Sequence, residues 1–354
     1  MKKILIVLIL ILPHMVFAWG GRGHDAICQA AVHLVKNKGL ADFLKQKPHV
    51  MGHLCNIPDV QWRNMDKKIT QHGDPTHYVN PELLGLAAQD VPTDLNAIIE
   101  KYTGAEGAND KDKKIVSVPF SLGTNWWRAE QMVRRGIEHG KQIATSEAPT
   151  NSKQAQDDNL TYNKAVYEMM VSMGIMGHFV GDNSQPFHNT TDYDGWAANQ
   201  GGIHSYYEEQ SVAHMGPDLV SQIVKKSKKL KNKKFLNGKN PVEKMRTLAT
   251  MAVSEVKAVL KADPIIKNSQ LKIEKGMSLK TPAERQPPEV GAKRFEKLIV
   301  EDMARAATLL ASFWDEVYTQ SGSPDLKAYR SYRYPLTVDF IMPDYYSADG
   351  EAKK

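Results

Sequence analysis

Cysteine is scarce in this chain, which has only two, Cys28 and Cys55, among 354 residues. Two thiols cannot supply the paired C-x-x-C motifs of a cysteine zinc site, so any metal must be held by His, Asp and Glu. In an oxidising compartment the two cysteines would either form one disulfide or remain as buried free thiols. The sequence leaves both alternatives open.

Long apolar runs are also few, and the clearest one opens the chain. Lys2 and Lys3 precede an apolar stretch over 4–12, and Val16-Phe17-Ala18 stands directly before Trp19. This order of a basic, an apolar and a small-residue segment is typical of a secretory signal peptide, here residues 1–18. No later stretch approaches the roughly 18 apolar residues that span a bilayer. We therefore expect an exported protein, periplasmic or secreted, with no integral membrane segment in its mature form.

The charge balance is mildly basic and unevenly spread. The formal net charge is +6, and it falls to +4 if Lys2 and Lys3 leave with the signal. Seven lysines lie within 225–234, a segment that we call the lysine block. Such a block is typical of a solvated surface face, and it also attracts polyanions. It is compatible with an anionic substrate without choosing between nucleic acid and lipid headgroups.

Strand-like alternation is scarce, whereas helical periodicity runs through most of the chain. Apolar residues recur every three or four positions over 162–182 and again over 291–319. Further helices are predicted near 25–38, 125–145, 217–229 and 241–261. Surface insertions, rich in Gly, Pro, Asn or charge, are predicted near 104–114, 228–239 and 282–288. The sequence therefore predicts a single all-α, multi-helix domain over residues 19–354.

Two pairs of a histidine and a carboxylate carry the candidate chemistry. His178 precedes Asp182 by four residues, and His204 precedes Glu208 by four. On a helix this spacing places both side chains on one face, about 5–6 Å apart at Cβ. Each pair is therefore suited to hold one metal ion.

Spacing alone is weak evidence, because the same pattern arises by chance. The 12 histidines and 40 acidic residues would give roughly 1.4 such pairs at random, and the chain has four. The other two are His188 with Asp192 and His214 with Asp218. Pro217 lies inside the last pair and disfavours a helix interior there. We therefore expect the His214 pair to lie outside any metal site.

The surroundings of His178 distinguish it from the chance pairs. Gly174, Gly177 and Gly181 lie on the same predicted helix, where each costs ~1 kcal/mol relative to alanine. Their presence indicates that another group approaches this helix closely. Upstream, Asp59 and His77 supply a further acid and a further imidazole.

The predicted new N-terminus is itself a candidate ligand. After cleavage, the α-amine and carbonyl oxygen of Trp19 and the imidazole of His24 can converge on one cation, because the glycines between them allow a tight turn. The alternative interpretation is a core tryptophan and an incidental histidine behind an ordinary signal peptide.

The ordered set of these residues resembles a known superfamily. An N-terminal Trp, then His, Asp, His, H-x-x-x-D, His and H-x-x-x-[DE] is similar to the trinuclear-zinc proteins, which include fungal single-strand-specific nucleases, plant bifunctional nucleases and zinc-dependent bacterial phospholipases C. Those proteins are single all-α domains. The resemblance covers the chain from Trp19 to Glu208, and the predicted helix over 291–319 corresponds more loosely to their last helix.

The resemblance implies three Zn²⁺ ions and assigns their ligands. The first ion would be held by Asp59, His77, His178 and Asp182. The second would be held by Trp19, through its amine and carbonyl, with His24 and the shared Asp182. The third would be held by His188, His204 and Glu208. Nitrogen and oxygen ligands without thiolate suit catalytic zinc.

The resemblance also implies a reaction, the hydrolysis of a phosphodiester by a metal-activated water. Asp59 would orient or deprotonate the nucleophile as well as bind metal. Arg63 would stabilise the charge of the transition state. Nuclease relatives place this arginine three residues after the aspartate, whereas here it follows Asp59 by four.

Two substrates remain open at this point. The W-G-x-x-G-H opening, with His24 five residues after Trp19, resembles the nucleases, whereas H-S-Y-Y-E ends in Glu208 as the phospholipase motif does. We favour single-stranded DNA, RNA or 3′-nucleotides over phospholipid as substrate, and we expect a monomer. The non-enzymatic alternative is a periplasmic zinc-binding protein, whose sites would be coordinatively closed.

Overall fold

The computed structural model describes residues 19–274, 277–331 and 333–345, and the predicted signal peptide lies outside these residues. The helices are α1 Gly20–Val32, α2 Lys38–Leu44, α3 Pro48–Val60, α4 Lys67–Gly73, α5 Leu95–Tyr102, α6 Val118–Leu122, α7 Asn125–Thr145, α8 Ser152–Ala155, α9 Thr161–Ser184, α10 Ile203–Ser205, α11 Ser211–Ala213, α12 Leu219–Lys229, α13 Pro241–Val253, α14 Val256–Ala262 and α15 Pro288–Gln320. The predicted all-α, single-domain fold is confirmed, because these helices share one continuous core.

The few strands form three separate antiparallel pairs. The strands are β1 Glu106–Gly107, β2 Asp110–Lys114, β3 Ile265–Lys267, β4 Gln270–Glu274, β5 Met277–Thr281 and β6 Glu284–Arg285. They pair as β1 with β2, β3 with β6, and β4 with β5. The first pair occupies the insertion predicted near 104–114. The strands of the region 265–285 were not predicted from the sequence, which indicated a surface insertion only from 282 onward.

Helix α9 is the centre of the fold, and its residues are buried on almost every side. Helices α1, α3, α7 and α15 pack around it. Trp314 of α15 donates a hydrogen bond of 2.8 Å from its indole nitrogen to the carbonyl of Met173. A helix that is buried on all sides normally carries apolar residues on all its faces. The polar residues at the C-terminal end of α9 are therefore exceptional and indicate a site.

The glycines of α9 allow the close approach that the sequence indicates. A Cβ atom at Gly174 would lie 2.4 Å from Cβ of Leu54, and one at Gly177 would lie 2.2 Å from Sγ of Cys28. At Gly181 the nearest atom would be Nδ1 of His24, at 2.9 Å. Since these distances are too short for real contacts, only glycine allows α1 and α3 to pack this closely against α9.

The two cysteines lie in this tightly packed layer, beside Gly177. Cys28 of α1 and Cys55 of α3 are both buried and both free thiols. Burial raises the pKa of the Cys55 thiol, which keeps it protonated. The structure therefore corresponds to the free-thiol alternative.

Two predicted helix boundaries were wrong for the same reason. The helix predicted over 25–38 begins earlier and ends at Val32, and Oδ1 of Asp315 then accepts a hydrogen bond of 2.9 Å from the Asn37 backbone. The helix predicted over 241–261 is interrupted near Glu255, whose carboxylate pairs with the buried Arg305 at 2.5 Å. Contacts distant in sequence override local periodicity at both breaks.

No helix in the part of the chain that the structure describes is long and apolar enough to cross a membrane.

Candidate metal centre

Seven elements bring the predicted ligands together at the C-terminal end of α9. Their positions are His24 on α1, Asp59 on α3, His178 and Asp182 on α9, His77 in a 3₁₀ turn over Asp74–His77, His188 in a 3₁₀ turn over Pro186–Asn189, His204 on α10, and Glu208 in the π-helical turn Tyr206–Gln210 that follows. All these side chains are buried. Burial of so many ionisable groups is costly unless they share a charged partner.

The ligand atoms form three groups, each suited to one metal ion. They are His24, His178 and Asp182; Asp59, His77 and His178; and His188, His204 and Glu208, with the atoms of each group within 4.8 Å of one another. The structure thus brings together eight of the nine predicted ligands. It also places His178 in two groups, whereas the sequence indicated only Asp182 as shared.

Asp182 connects the first two groups through its two oxygens. Oδ1 lies 3.2 Å from Nε2 of His24. Oδ2 lies 2.9 Å from Nδ1 of His77 and 3.3 Å from Nε2 of His178. A carboxylate with one oxygen directed to each side has the geometry of a bridge between two cations.

The two histidines of the second group point ring nitrogens at each other. Nδ1 of His178 lies 2.9 Å from the carbonyl oxygen of Cys55, to which it donates as Nδ1–H. Nε2 of His178 therefore carries the lone pair, and it lies 2.9 Å from Nδ1 of His77. A carbonyl partner that fixes the tautomer of a ligand histidine is the usual support of a metal site.

Asp59 faces the same group from α3. Its Oδ1 lies 3.8 Å from Nδ1 of His77 and 3.2 Å from a guanidinium nitrogen of Arg63. Its Oδ2 is buried and accepts no hydrogen bond from any described residue. A buried carboxylate oxygen without a protein donor fits a metal ligand, because a cation would offset the cost of its desolvation.

In the third group, hydrogen bonds fix which ring nitrogen of each histidine carries the lone pair. Nδ1 of His188 donates to the carbonyl of His77 at 2.7 Å, and Nδ1 of His204 donates to the carbonyl of Tyr193 at 2.7 Å. Their Nε2 lone pairs consequently face each other, 3.2 Å apart. Oε1 of Glu208 lies 2.9 Å from Nε2 of His204. Two facing lone pairs and a carboxylate repel one another unless a cation or proton lies between them.

Local backbone geometry sets the position of Glu208. The segment 203–213 is helical, but a π-helical turn over Tyr206–Gln210 interrupts its regular spacing. Such turns are found mostly at functional sites. Gln185 then fixes the carboxylate by donating from Nε2 to Oε2 of Glu208 at 2.6 Å. This role of Gln185 could not be predicted from the sequence, because only the fold brings the residue beside Glu208.

Burial keeps the first two groups close to neutral. It raises the pKa of Asp59 to about 7, against the opposing charge of Arg63, and it raises the pKa of Asp182 to about 7. It lowers the pKa of His77 and His178 well below the usual value. Neutral imidazoles are the form that binds metal, and a bound dication would lower the pKa of both carboxyls.

Glu208 behaves differently from the two aspartates. Burial alone would raise its pKa, but when a proton occupies Nε2 of His204 or His188, the charge of His204 and the hydrogen bonds from His188 and His204 lower the pKa to about 2. The carboxylate therefore stays ionised, as a metal ligand requires.

Trp19 lies at the N-terminal end of α1, beside the first group. It is fully buried, it adopts a left-handed backbone conformation with φ of 49°, and its carbonyl accepts a hydrogen bond of 3.0 Å from the Gly23 backbone. Its indole nitrogen donates to the carbonyl of Gly181 at 2.7 Å. These contacts hold the start of the predicted mature chain against the end of α9.

The centre opens on a cleft of about 540 Å³. Its lining includes Arg63, Thr70, Asp74, His77, Tyr78, Asn80, Phe187, His188, Tyr193 and His204. Residues of the second and third groups thus reach the wall of the cleft, while the first group is buried behind them. Sites that face a cleft differ from the closed sites expected of a metal-storage protein.

Comparison with known proteins gives only a distant likeness. No protein-family model matches the chain, and no curated protein matches its sequence. Among solved structures, the alpha-toxin of Clostridium perfringens from avian strain SWCP matches with 10% identity and a TM-score of 0.43, over 87% of this chain and 66% of the toxin. The alpha toxin of Clostridium absonum matches with 13% identity and a TM-score of 0.38, over 89% and 66%. This chain thus spans less than two thirds of the toxins' length, and the likeness assigns it no activity.

His214 and the lysine block lie outside the candidate metal centre. His214 is on the surface, with Nε2 3.4 Å from a carboxylate oxygen of Glu289, and it joins none of the three groups. The lysine block forms the end of α12 and the segment after it. None of its residues lines the cleft, and Lys226 is paired with Glu301 at 2.7 Å.

Proposed function

We propose that this chain is an exported zinc-dependent hydrolase of phosphate ester bonds. The observation that carries the proposal is the set of three groups of buried nitrogen and oxygen ligands beside a cleft. The absence of thiolate from these groups and the multiplicity of carboxylates and imidazoles suit catalytic zinc. The ligands are assigned as the resemblance implies, with Trp19 supplying its amine and carbonyl after removal of residues 1–18.

When bound, zinc would lower the pKa of a coordinated water and neutralise phosphate charge. The protein's own residues would do the rest. Asp59 would accept the proton of the attacking water and orient it, because Oδ2 has no hydrogen-bond donor among the described residues. Arg63 lines the cleft and lies 3.2 Å from Asp59, where its guanidinium would bind a phosphate oxygen and hold the Asp59 carboxylate in place.

For the substrate, we propose a phospholipid headgroup. Two observations support this choice over single-stranded nucleic acid. The third group ends in Glu208, as the phospholipase motif does. The lysine block, which would track a polynucleotide by its phosphates, does not line the cleft.

A nuclease or 3′-nucleotidase is the second candidate function. It is favoured by the interval of five residues between Trp19 and His24, which resembles that of the nucleases. The exposed ring of Tyr193 at the cleft also offers a stacking surface for a base.

One experiment separates these possibilities. The metal-replete mature protein would be incubated in parallel with phosphatidylcholine, single-stranded DNA, RNA and 3′-mononucleotides, with Asp182→Asn as the inactive control. Release of phosphorylcholine supports the proposal, and release of nucleotides or phosphate without phosphorylcholine supports the nuclease. If no substrate is cleaved and zinc is bound, the protein is the non-enzymatic zinc binder and the proposal is wrong.

A further inference from the structure

The region from Ile265 to Arg285, which we call the hairpin arm, consists of the β3–β6 pair and the β4–β5 hairpin beyond it. It is attached to the loop 192–202 that leads into His204. The Ser269 backbone donates to the Asn199 carbonyl at 3.0 Å, and the Ala283 backbone donates to the Gly201 carbonyl at 2.9 Å. The loop that anchors the arm therefore also leads into the third group of candidate metal ligands.

Arg285 strengthens this attachment. Its guanidinium pairs with Asp263 at 2.9 Å and donates to the carbonyls of Gln200 and Gly201 at 2.5 Å and 3.2 Å. Gly202, with φ of 89°, would bring a Cβ to 3.3 Å from this guanidinium. Since the arm is fixed at its base, its exposed part has a defined position relative to the cleft.

The exposed part of the arm carries aliphatic side chains that the fold does not cover. Ile266 is 60% exposed, Leu271 53% and Leu279 47%. In the β4–β5 pair Leu271 lies opposite Lys280, and Leu279 lies opposite Lys272. Directly opposed residues share a face of the hairpin, so each face presents one leucine and one lysine. Exposed aliphatic residues on both faces of a hairpin have no role in the core of this molecule.

The charge of the arm is complementary to an anionic surface. By sequence the arm has four lysines and Arg285 against two acids, Glu274 and Glu284, and Lys267, Lys272 and Lys280 are exposed. Lysines next to exposed aliphatic residues are typical of segments that enter the headgroup region of a bilayer, where the apolar groups are buried and the lysines pair with lipid phosphates.

We infer that the hairpin arm is a membrane-contact element that docks this protein on an anionic phospholipid surface. A nucleic acid fits it less well, because the arm contains no aromatic residue to stack on bases. The inference rests on the proposed phospholipid substrate, and it explains how the cleft would reach that substrate. The anchoring loop carries Tyr193, which lines the cleft and is 51% exposed, so a lipid-bound arm would hold the cleft close to the headgroups.

The test measures vesicle binding separately from turnover. The zinc-replete mature protein is mixed with vesicles of phosphonate analogues of phosphatidylcholine and phosphatidylglycerol, in which the scissile ester oxygen is replaced by carbon, so binding is measured without cleavage.

Replacing Leu271 and Leu279 together by serine should weaken partitioning roughly ten-fold, because two half-exposed leucines lose their burial in lipid. Lys272→Gln with Lys280→Gln should weaken binding roughly ten-fold on vesicles containing phosphatidylglycerol and little on phosphatidylcholine alone. Leu336→Ser, at an exposed leucine outside the arm, is the control and should bind as the wild type does.

Turnover of a soluble phosphodiester, p-nitrophenyl phosphorylcholine, distinguishes failure of the inference from failure of the function. Every arm variant should cleave it as the wild type does. If the wild type does not bind vesicles, or if the leucine variant binds as tightly as Leu336→Ser, the inference is overturned while turnover stands. If lysine substitution weakens single-stranded DNA binding and leaves vesicle binding unchanged, the arm is a nucleic-acid surface and the inference is again overturned. If no phosphodiester is cleaved, the proposed function fails whatever the vesicles show.

Discussion

Oδ2 of Asp182 lies 2.9 Å from Nδ1 of His77, a residue 105 positions earlier in the chain. Its other oxygen faces His24 at 3.2 Å. One carboxylate therefore joins two groups of candidate metal ligands that come from four different segments. This arrangement makes Asp182 the residue on which the largest part of the centre depends.

Asp182→Asn should remove two of the three proposed zinc ions and lower turnover by more than about 100-fold, because an amide offers both groups a neutral and weaker ligand. Zinc content by plasma mass spectrometry and phosphodiesterase assays check this. His214→Ala is the control, since His214 lies outside the groups and its loss should leave zinc content unchanged. Equal loss from both variants would refute the ligand assignment.

An extra residue before Trp19 should abolish zinc binding at the first group, which contains His24. The α-amine would become a peptide nitrogen, which cannot bind zinc as an amine does, and the buried position of Trp19 leaves little space for an extension. The measurement compares zinc content and turnover of the native and extended forms. Identical values in the two forms would show that the amine is not a ligand.

Gln185→Leu should weaken zinc binding at the third group roughly 10- to 100-fold, because Glu208 loses the hydrogen bond of 2.6 Å that orients it. Gln29→Leu is a matched control, since it removes a Gln-to-carboxylate bond of 2.7 Å to Asp25, a residue that belongs to none of the three groups. Competition with a zinc chelator measures both affinities. The role of Gln185 is rejected if the two variants lose zinc at the same chelator concentration.

Gly177→Ala should lower the free energy of unfolding by about 1–3 kcal/mol, because its Cβ would overlap Sγ of Cys28. Adding Cys28→Ala should recover part of this loss by making room. Gly21→Ala, whose nearest atom would be 3.6 Å away, serves as the control and should be tolerated. Chemical denaturation gives the values, and a fully stable Gly177→Ala variant would contradict the packing described for α9.

Neutralising Lys228, Lys229, Lys231, Lys233 and Lys234 should leave KM for phosphatidylcholine unchanged, because these exposed lysines do not line the cleft. On long single-stranded DNA, a nuclease that tracks phosphates with this block would instead show a higher KM and a flatter salt dependence, with kcat nearly constant. Kinetics at two salt concentrations decide between the two behaviours. A change confined to DNA would favour the nuclease.

The candidate ligand groups could be predicted from sequence because the strongest pairs are local. His178 with Asp182 and His204 with Glu208 need only helical spacing to be recognised, and the glycines of α9 signal the close packing beside them. The pair at His214 was set aside because Pro217 disfavours a helix there, and in the structure His214 belongs to none of the three groups.

Other features could not be predicted, because they depend on contacts distant in sequence. The sharing of His178 between two groups and the support of Glu208 by Gln185 exist only once the chain is folded. The end of α1 at Val32 is followed by a turn that Asp315 caps from far along the chain. The β4 and β5 strands of the hairpin arm do alternate apolar and polar residues, but each is only five residues long, and so short a pattern was not recognised as a strand.

The most direct test of the account is the zinc dependence of phosphodiester hydrolysis by the mature protein. The protein would be stripped of metal with a chelator, and release of phosphorylcholine from phosphatidylcholine would be followed as zinc is restored. The account predicts no release without zinc and full activity as bound zinc reaches three ions per chain. Hydrolysis that persists in the stripped protein, or no hydrolysis when three ions are bound, would contradict it.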